Sequence, residues 1–210
     1  MHAATTALGL LSLLLPPVVS GFRVTGKETP DGFYKAYYDA SGKEVHELLT
    51  PATVEADKQH IKAAGLVSIA PGISARDARG LLNARDDQRL YCGCGLILDR
   101  SDCDAAVANM KNQINNNGGT VYVPIGQAYY AVRGGVVSFI CSRKGNSAVT
   151  GVSVAGFTDL LKEVTKYCGQ YVPGTYKHGT PIDTAAVDVG YMFSGQDFCA
   201  RAESSSKDRC

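Results

Sequence analysis

The chain has 210 residues, with 21 Lys and Arg against 20 Asp and Glu, a formal net charge of +1, seven Cys and no Trp. This balance holds in both halves without a block of like charge, so there is no basic footprint for nucleic acid or an anionic membrane. About 190 residues beyond the N-terminal apolar stretch suffice for one or two domains with a substantial core.

Residues 1 to 20 run from Met1 through an apolar stretch, Ala7 to Leu15, to Pro16-Pro17 and Val18-Val19-Ser20. An apolar core followed by small residues at Val18 and Ser20 reads as a secretion signal. The stretch is too short to cross a bilayer core, which takes roughly 20 residues of helix. No other stretch reads as a membrane span, and Asn-x-Ser/Thr occurs nowhere. The expected location is therefore extracellular.

Residues 21 to 90 carry no cysteine and read as an N-terminal extension or pro-segment. Phe33 to Tyr38, an Asp39-Ala40-Ser41-Gly42 turn and Lys43 to Val45 predict a short hairpin. Thr50-Pro51 predicts the start of a helix ending near Gly65. Residues 73 to 89 read as a linker, with Arg85 and Arg89 as single basic sites for a processing protease.

Residues 91 to 199 read as a disulfide-rich domain, followed by a tail over 200 to 210. Leu90 to Leu98 places Cys92, Cys94, Leu96 and Leu98 on one parity and predicts a strand. A helix follows, with Ser101 or Asp102 as its N-cap and Cys103, Val107, Met110 and Ile114 on one face, ending at Asn115 to Gly119. Thr120 to Val123, continued by Ala128 to Val132, predicts a second strand. Gly134-Gly135 turns it into a third, Val136 to Cys141. A second helix is predicted from Thr158 to Gly169, with Leu160, Leu161, Val164 and Cys168 on one face, and a last strand from Val187 to Phe193. The order β-α-β-β-α-β is the split βαβ arrangement, an α+β fold with a four-stranded antiparallel sheet and two helices on one face.

All seven cysteines, Cys92, Cys94, Cys103, Cys141, Cys168, Cys199 and Cys210, lie in this second half. In a secreted chain they read as a disulfide framework. Cys92-Gly-Cys94 with Cys103 lacks the loop of a zinc knuckle and has no nearby histidine, so no metal is expected, and no other cofactor. Cysteines at opposite ends of a sheet cannot bond, because a disulfide needs Cα atoms within about 7 Å. The predicted topology then pairs Cys103 with Cys168. It assigns Cys92 and Cys94 to Cys141 and Cys199, with Cys94 to Cys141 and Cys92 to Cys199 preferred. Cys210 is left unpaired or free for an intermolecular bond.

With Cys-Asp-Ala-Ala at Cys103 to Ala106, Asn117-Gly118-Gly119 before a strand and a strand ending Ser138-Phe139-Ile140-Cys141, residues 91 to 199 resemble a group of fungal secreted proteins. These are the cysteine-rich α/β-sandwich killer toxins and the related necrosis-inducing effectors. The resemblance implies an effector-like or toxin-like protein that acts by binding, without catalysis, a protein or carbohydrate target outside the producing cell.

No catalytic constellation is evident. His178, in the Pro173 to Gly179 stretch that reads as a loop, with Asp183 or Asp197 as acidic partner, is the one candidate base for a small secreted hydrolase. Ser194-Gly195-Gln196-Asp197 reads as a turn. Tyr122, Tyr129, Tyr130, Tyr167, Tyr171, Tyr176 and Tyr191 offer amphipathic rings for recognising a protein or a cell-wall carbohydrate. Tyr129, Tyr130, Tyr176 and His178 are the candidate binding residues. At most one of the adjacent Tyr129 and Tyr130 should face a helix-covered core, leaving the other partly exposed. Signal cleavage is predicted after Ser20: N-terminal sequencing of the secreted protein should begin at Gly21, and a product beginning upstream of it overturns the assignment.

Overall fold

A computed structural model describes residues 21–25, 29–49, 89–142, 149–179, 186–199 and 208–210. The predicted signal, the helix from Thr50, the Arg85 site and most of the linker lie outside the described residues. The chain is α+β, with eleven strands and two helices among the described residues. These are β1 (Phe22–Arg23), β2 (Gly32–Tyr38), β3 (Glu44–Leu48), β4 (Arg89–Cys92), α1 (Arg100–Asn116), β5 (Thr120–Val123), β6 (Ala128–Arg133), β7 (Val136–Ser142), β8 (Thr150–Ser153), α2 (Val154–Cys168), β9 (Gly174–His178), β10 (Val187–Phe193) and β11 (Asp197–Phe198).

Seven strands form one sheet in the order β3-β2-β6-β7-β10-β9-β4, and each neighbouring pair is antiparallel. The sheet is thus wider than the four strands expected, and its order differs. The predicted hairpin, β2 and β3, joins it through β2, where Phe33 lies opposite Ala131 and Tyr34 opposite Tyr130. The Pro173 to Gly179 stretch, expected to be a loop, forms β9. The first strand lies at an edge against β9, with Cys92 opposite Gly174, and not between the third and fourth. It stops at Cys92 because Gly95 takes φ +86° and the chain turns, Leu96 N donating to Gly93 O at 3.1 Å. The expected second strand is broken at Pro124 to Gln127. Its first part, β5, leaves the main sheet to pair with β8.

Both helices are held by side-chain caps. Asp99 accepts from the N–H of Asp102 at the start of α1, and Ser153 from that of Gly156 at the start of α2, satisfying donors that the first turn leaves open. The first cap lies two or three residues upstream of the prediction, the second helix starts four residues early, and Gly169 closes α2 as expected. Buried Cys103, Ala106, Met110 and Ile114 mark the core stripe of α1; Phe157, Leu160, Leu161, Val164 and Cys168 mark that of α2.

Each face of the sheet carries its own core. On the helix side, Tyr129, Ala131, Val136, Ile140, Val187, Val189 and Tyr191 meet the helices. On the other side, Tyr34, Ala36, Tyr130, Val132, Val137, Phe139 and Met192 pack with Phe22, Val24 and Phe198. These last come from β1 and β11 and their flanks; the two short strands form a separate ribbon with Phe22 opposite Phe198. The Phe198 ring sits 4.8 Å from that of Tyr130 and 5.6 Å from that of Phe139.

The disulfides differ from those predicted. They are Cys92–Cys168, Cys94–Cys210 and Cys141–Cys199, with Cα separations of 5.2, 5.5 and 5.7 Å, and Cys103 is a free, buried thiol. The Cys103–Cys168 staple fails because β9 follows α2 directly and returns beside β4. That path brings the end of α2 over Cys92: a Cβ at Gly174 would lie 3.1 Å from Cys168 Sγ. Cys141–Cys199 ties β7 to the end of β11, so neither Cys94–Cys141 nor Cys92–Cys199 forms. Cys210 is intramolecular, its N–H donating to Tyr167 O at 3.1 Å.

Strands β9 and β10 approach closely where two glycines meet. A Cβ on Gly190 would collide with the Gly174 carbonyl and lie 2.8 Å from the Phe139 ring, whereas one on Gly135 would meet nothing within 4 Å. Gly190→Ala should therefore destabilise the protein by about 1–3 kcal/mol in urea unfolding through overpacking. Gly135→Ala should stay within about 0.5 kcal/mol of the parent. Equal effects would show that the close strand approach is not a constraint.

Candidate functional site

The residues singled out in the sequence are not gathered into a site. Tyr129, Tyr130, Tyr176 and His178 are 3, 0, 7 and 3% exposed. Tyr129 and Tyr130 do point to opposite faces, yet neither is open, because the β1–β11 ribbon covers the face expected to be bare. Tyr129 packs against Phe33 with ring centroids 5.7 Å apart. Tyr176 belongs to the helix-side core, and His178, two residues along the strand, shares its face. The two rings lie 6.4 Å apart and nearly parallel. Asp197 sits on the ribbon across the sheet, 3.3 Å from Arg23, so the structure does not join it to His178. Asp183 lies outside the described residues.

A histidine network absent from the sequence reading appears in the N-terminal hairpin. His46 Nε2 lies 2.6 Å from Glu44 Oε1, and its Nδ1 lies 2.7 Å from the Tyr130 hydroxyl. Glu44 Oε1 also accepts from Arg23 N at 2.7 Å, and the Tyr38 hydroxyl donates to Gly21 O at 2.7 Å. A carboxylate, an imidazole and a hydroxyl in line have the form of an activated nucleophile. Here the hydroxyl belongs to the fully buried Tyr130, whose acidity burial suppresses far below that of a free phenol. The arrangement ties the hairpin and the N-terminal strand to the core, and no substrate can reach its hydroxyl in this state.

Among the described residues, a groove of about 550 Å3 lies open between α1 and α2. The two helices run antiparallel. The end of α1 lies by the start of α2, where Val154 N donates to Gly119 O at 3.4 Å, and the start of α1 lies by the end of α2, where Leu98 N donates to Tyr171 O at 2.8 Å. Val107 and Ala108 on one wall, Leu161 and Thr165 on the other, and Tyr191 of β10 with Cys103 line its apolar part. Val107, expected in the core stripe, is half-buried and turns toward this groove. The hydroxyls here are already engaged. Thr158 Oγ1 donates to Val154 O at 2.7 Å, Thr165 Oγ1 to Leu161 O at 3.1 Å, and the Tyr191 hydroxyl lies 3.2 Å from Thr165 Oγ1.

One end of the groove is closed by Tyr171, whose hydroxyl donates to Asp104 Oδ2 at 3.2 Å. Tyr171 adopts φ 63°, a left-handed conformation uncommon for a bulky residue, with the Arg100 guanidinium 5.7 Å from its ring. Lys166 lines the groove near this end, and Lys111 and Lys162 line it farther along. Lys162 pairs with Asp159 at 2.8 Å and Lys166 with Glu163 at 3.5 Å, whereas Lys111 has no ion-pair partner among the described residues. Beneath, burial and then the Asp104 charge push the Cys103 thiol up to about 12, and burial drives Tyr191 in the same direction, to about 12.

The chain matches no model of a known protein family, no curated protein and no solved structure.

At pH 8 only about one Cys103 side chain in ten thousand would be thiolate, and the thiolate is the reactive form. Iodoacetamide should therefore leave Cys103 unmodified in the folded protein and label it once the chain is unfolded, as read by mass spectrometry. Because the folded-state values of Cys103 and Tyr191 are raised, the native chain holds protons that the unfolded chain releases. Their contribution to stability is complete below the unfolded values and declines as pH rises from about 9 through 12. Rapid labelling of native protein at pH 8 would contradict the buried placement.

Proposed function

We propose that this is a secreted effector-like or toxin-like protein that binds a target outside the cell that makes it and performs no catalysis of its own. The observation that carries this reading is the inter-helix groove, an open concave surface with an apolar floor and cationic side chains along its length. Ligand sites are commonly of this size and character. Three disulfides fit an oxidising compartment, and no helix among the described residues is long and apolar enough to cross a membrane. The sequence resemblance to fungal killer toxins and necrosis-inducing effectors supports the same reading, and it places the target on a neighbouring or host cell.

The burial of His178 favours binding over hydrolysis, since a general base must come within hydrogen-bond reach of its substrate. The burial of Tyr129, Tyr130 and Tyr176 moves recognition away from those rings to the groove between the helices.

Fluorescently labelled, oxidised protein should be retained saturably on intact plant cells. Ala108→Trp, which fills the groove from an exposed position, should weaken that retention about tenfold or more, equivalent to about 1.4 kcal/mol. His178→Gln, checked for a native melting curve, should leave it unchanged. Retention that survives Ala108→Trp would remove the groove from the reading. A biological effect lost in folded His178→Gln would favour the hydrolase, and retention on purified chitin or glucan alone would favour a carbohydrate binder.

A further inference from the structure

Resting on that reading, the groove's own chemistry narrows its occupant. The hydroxyls of Thr158, Thr165, Tyr171 and Tyr191 are each hydrogen-bonded to a protein partner, so their hydrogens are engaged and what they still offer is acceptor lone pairs. A ligand that placed its acceptor oxygens there would leave them without a donor, at a cost comparable to a lost hydrogen bond. An apolar segment matches Val107, Leu161, Tyr191 and the protonated Cys103 thiol.

The charges are not distributed evenly. Because the helices are antiparallel, Lys111 near the end of α1 faces the part of α2 that carries Thr158 and Lys162. Cys103 and Asp104 at the start of α1 face Gln170 and Tyr171. The groove therefore has Lys111, which has no ion-pair partner among the described residues, and Lys162 toward one end, and Lys166 with the Tyr171–Asp104 hydrogen bond toward the other. Lys162 is paired only with Asp159 one turn away, and its side chain is 70% exposed; such exposed pairs are weak and readily exchanged. From Cys103 to Lys111 the groove runs along about 12 Å of helix, at a rise of about 1.5 Å per residue.

We propose that this groove is a binding site for a single-chain anionic amphiphile of the fatty-acid class. Its carboxylate lies between Lys111 and Lys162, and its hydrocarbon chain runs over Val107 and Leu161 toward Tyr191 and Cys103. The carboxylate meets two ammonium groups, and hydrogen bonds between ionised partners are stronger than neutral ones. The chain meets a floor that asks for no hydrogen bonds. An acidic amphipathic helix of a partner protein is the competing occupant, and it would need wider contact than the lower walls provide.

The test is calorimetric titration of the full oxidised protein with dodecanoate below its micellar range, beside dodecanol and a synthetic acidic amphipathic helical peptide. Dodecanoate should bind saturably at one site, and dodecanol about tenfold or more weaker, since each tenfold corresponds to about 1.4 kcal/mol. Ala108→Trp and the double variant Lys111→Glu/Lys162→Glu should each lower dodecanoate affinity by a similar factor, with unchanged melting curves confirming the fold. Absence of saturable dodecanoate binding, equal binding of dodecanol, indifference to both variants, or capture of the peptide in place of dodecanoate would overturn the proposal. If dodecanoate fails to bind while Ala108→Trp still abolishes retention on cells, the ligand class is wrong and target binding through the groove stands. If retention is also indifferent to Ala108→Trp, both fail.

Discussion

The constraint on which the architecture depends is a central sheet that is apolar on both faces. Strands β6, β7 and β10 place Tyr129, Ile140 and Val189 toward the helices and Tyr130, Phe139 and Met192 toward the other side. An antiparallel sheet can leave one face to water, but this one cannot, since burying aromatic and branched side chains is worth about 1.5–3 kcal/mol each. Two amphipathic helices cover the first face. The second is covered by Phe22, Val24 and Phe198, which is why the N-terminal strand, the end of the last hairpin and the Cys141–Cys199 bond meet at one place. The Cys-free N-terminal strands are thereby built in, β1 with the core of the second face and β2 and β3 with the main sheet.

The cross-links follow the same logic. Cys92–Cys168 fixes the edge strand β4 to the end of α2, and Cys94–Cys210 returns the final residues to the turn after β4. Cys141–Cys199 secures the ribbon that covers the second face. Two of the three tie a short element to a long one, and the third ties a turn to the C-terminal residues. Cys103, buried in the first turn of α1, has no such tie and stays a thiol.

Most of the elements were legible in the sequence because they rest on local rules. The Gly134-Gly135 hairpin, the 3.6-residue periodicity of both helices and the Gly169 cap depend on near neighbours. What escaped depends on partners distant in sequence. Strand β9 was hidden because Pro173, Gly174 and Gly179 read as loop residues, although Gly174 is small for a different reason: Val164 and Cys168 of α2 press on it. The disulfides escaped with it, since without β9 the first strand had no correct neighbour. The burial of Tyr130 escaped because its cover, Phe198, lies in a two-residue strand with no sequence signature.

The groove belongs to this same non-local class, and its origin is geometric. Helix α1 rests on β6 and β7, while α2 rests on β10, β9 and β4. Counting along the sheet order, their mean positions are about two and a half strand spacings apart, or about 12 Å at roughly 4.8 Å per strand. Helices in direct contact sit about 8–10 Å apart. The extra separation opens a trough along the middle of the helix layer, and Tyr191, on the strand beneath it, forms part of the floor. A four-stranded sheet would have drawn the two helices together and closed this space. The added strand β9, placed between β10 and β4, is what moves α2 outward, so the same element that defeats the disulfide prediction also opens the groove between the helices.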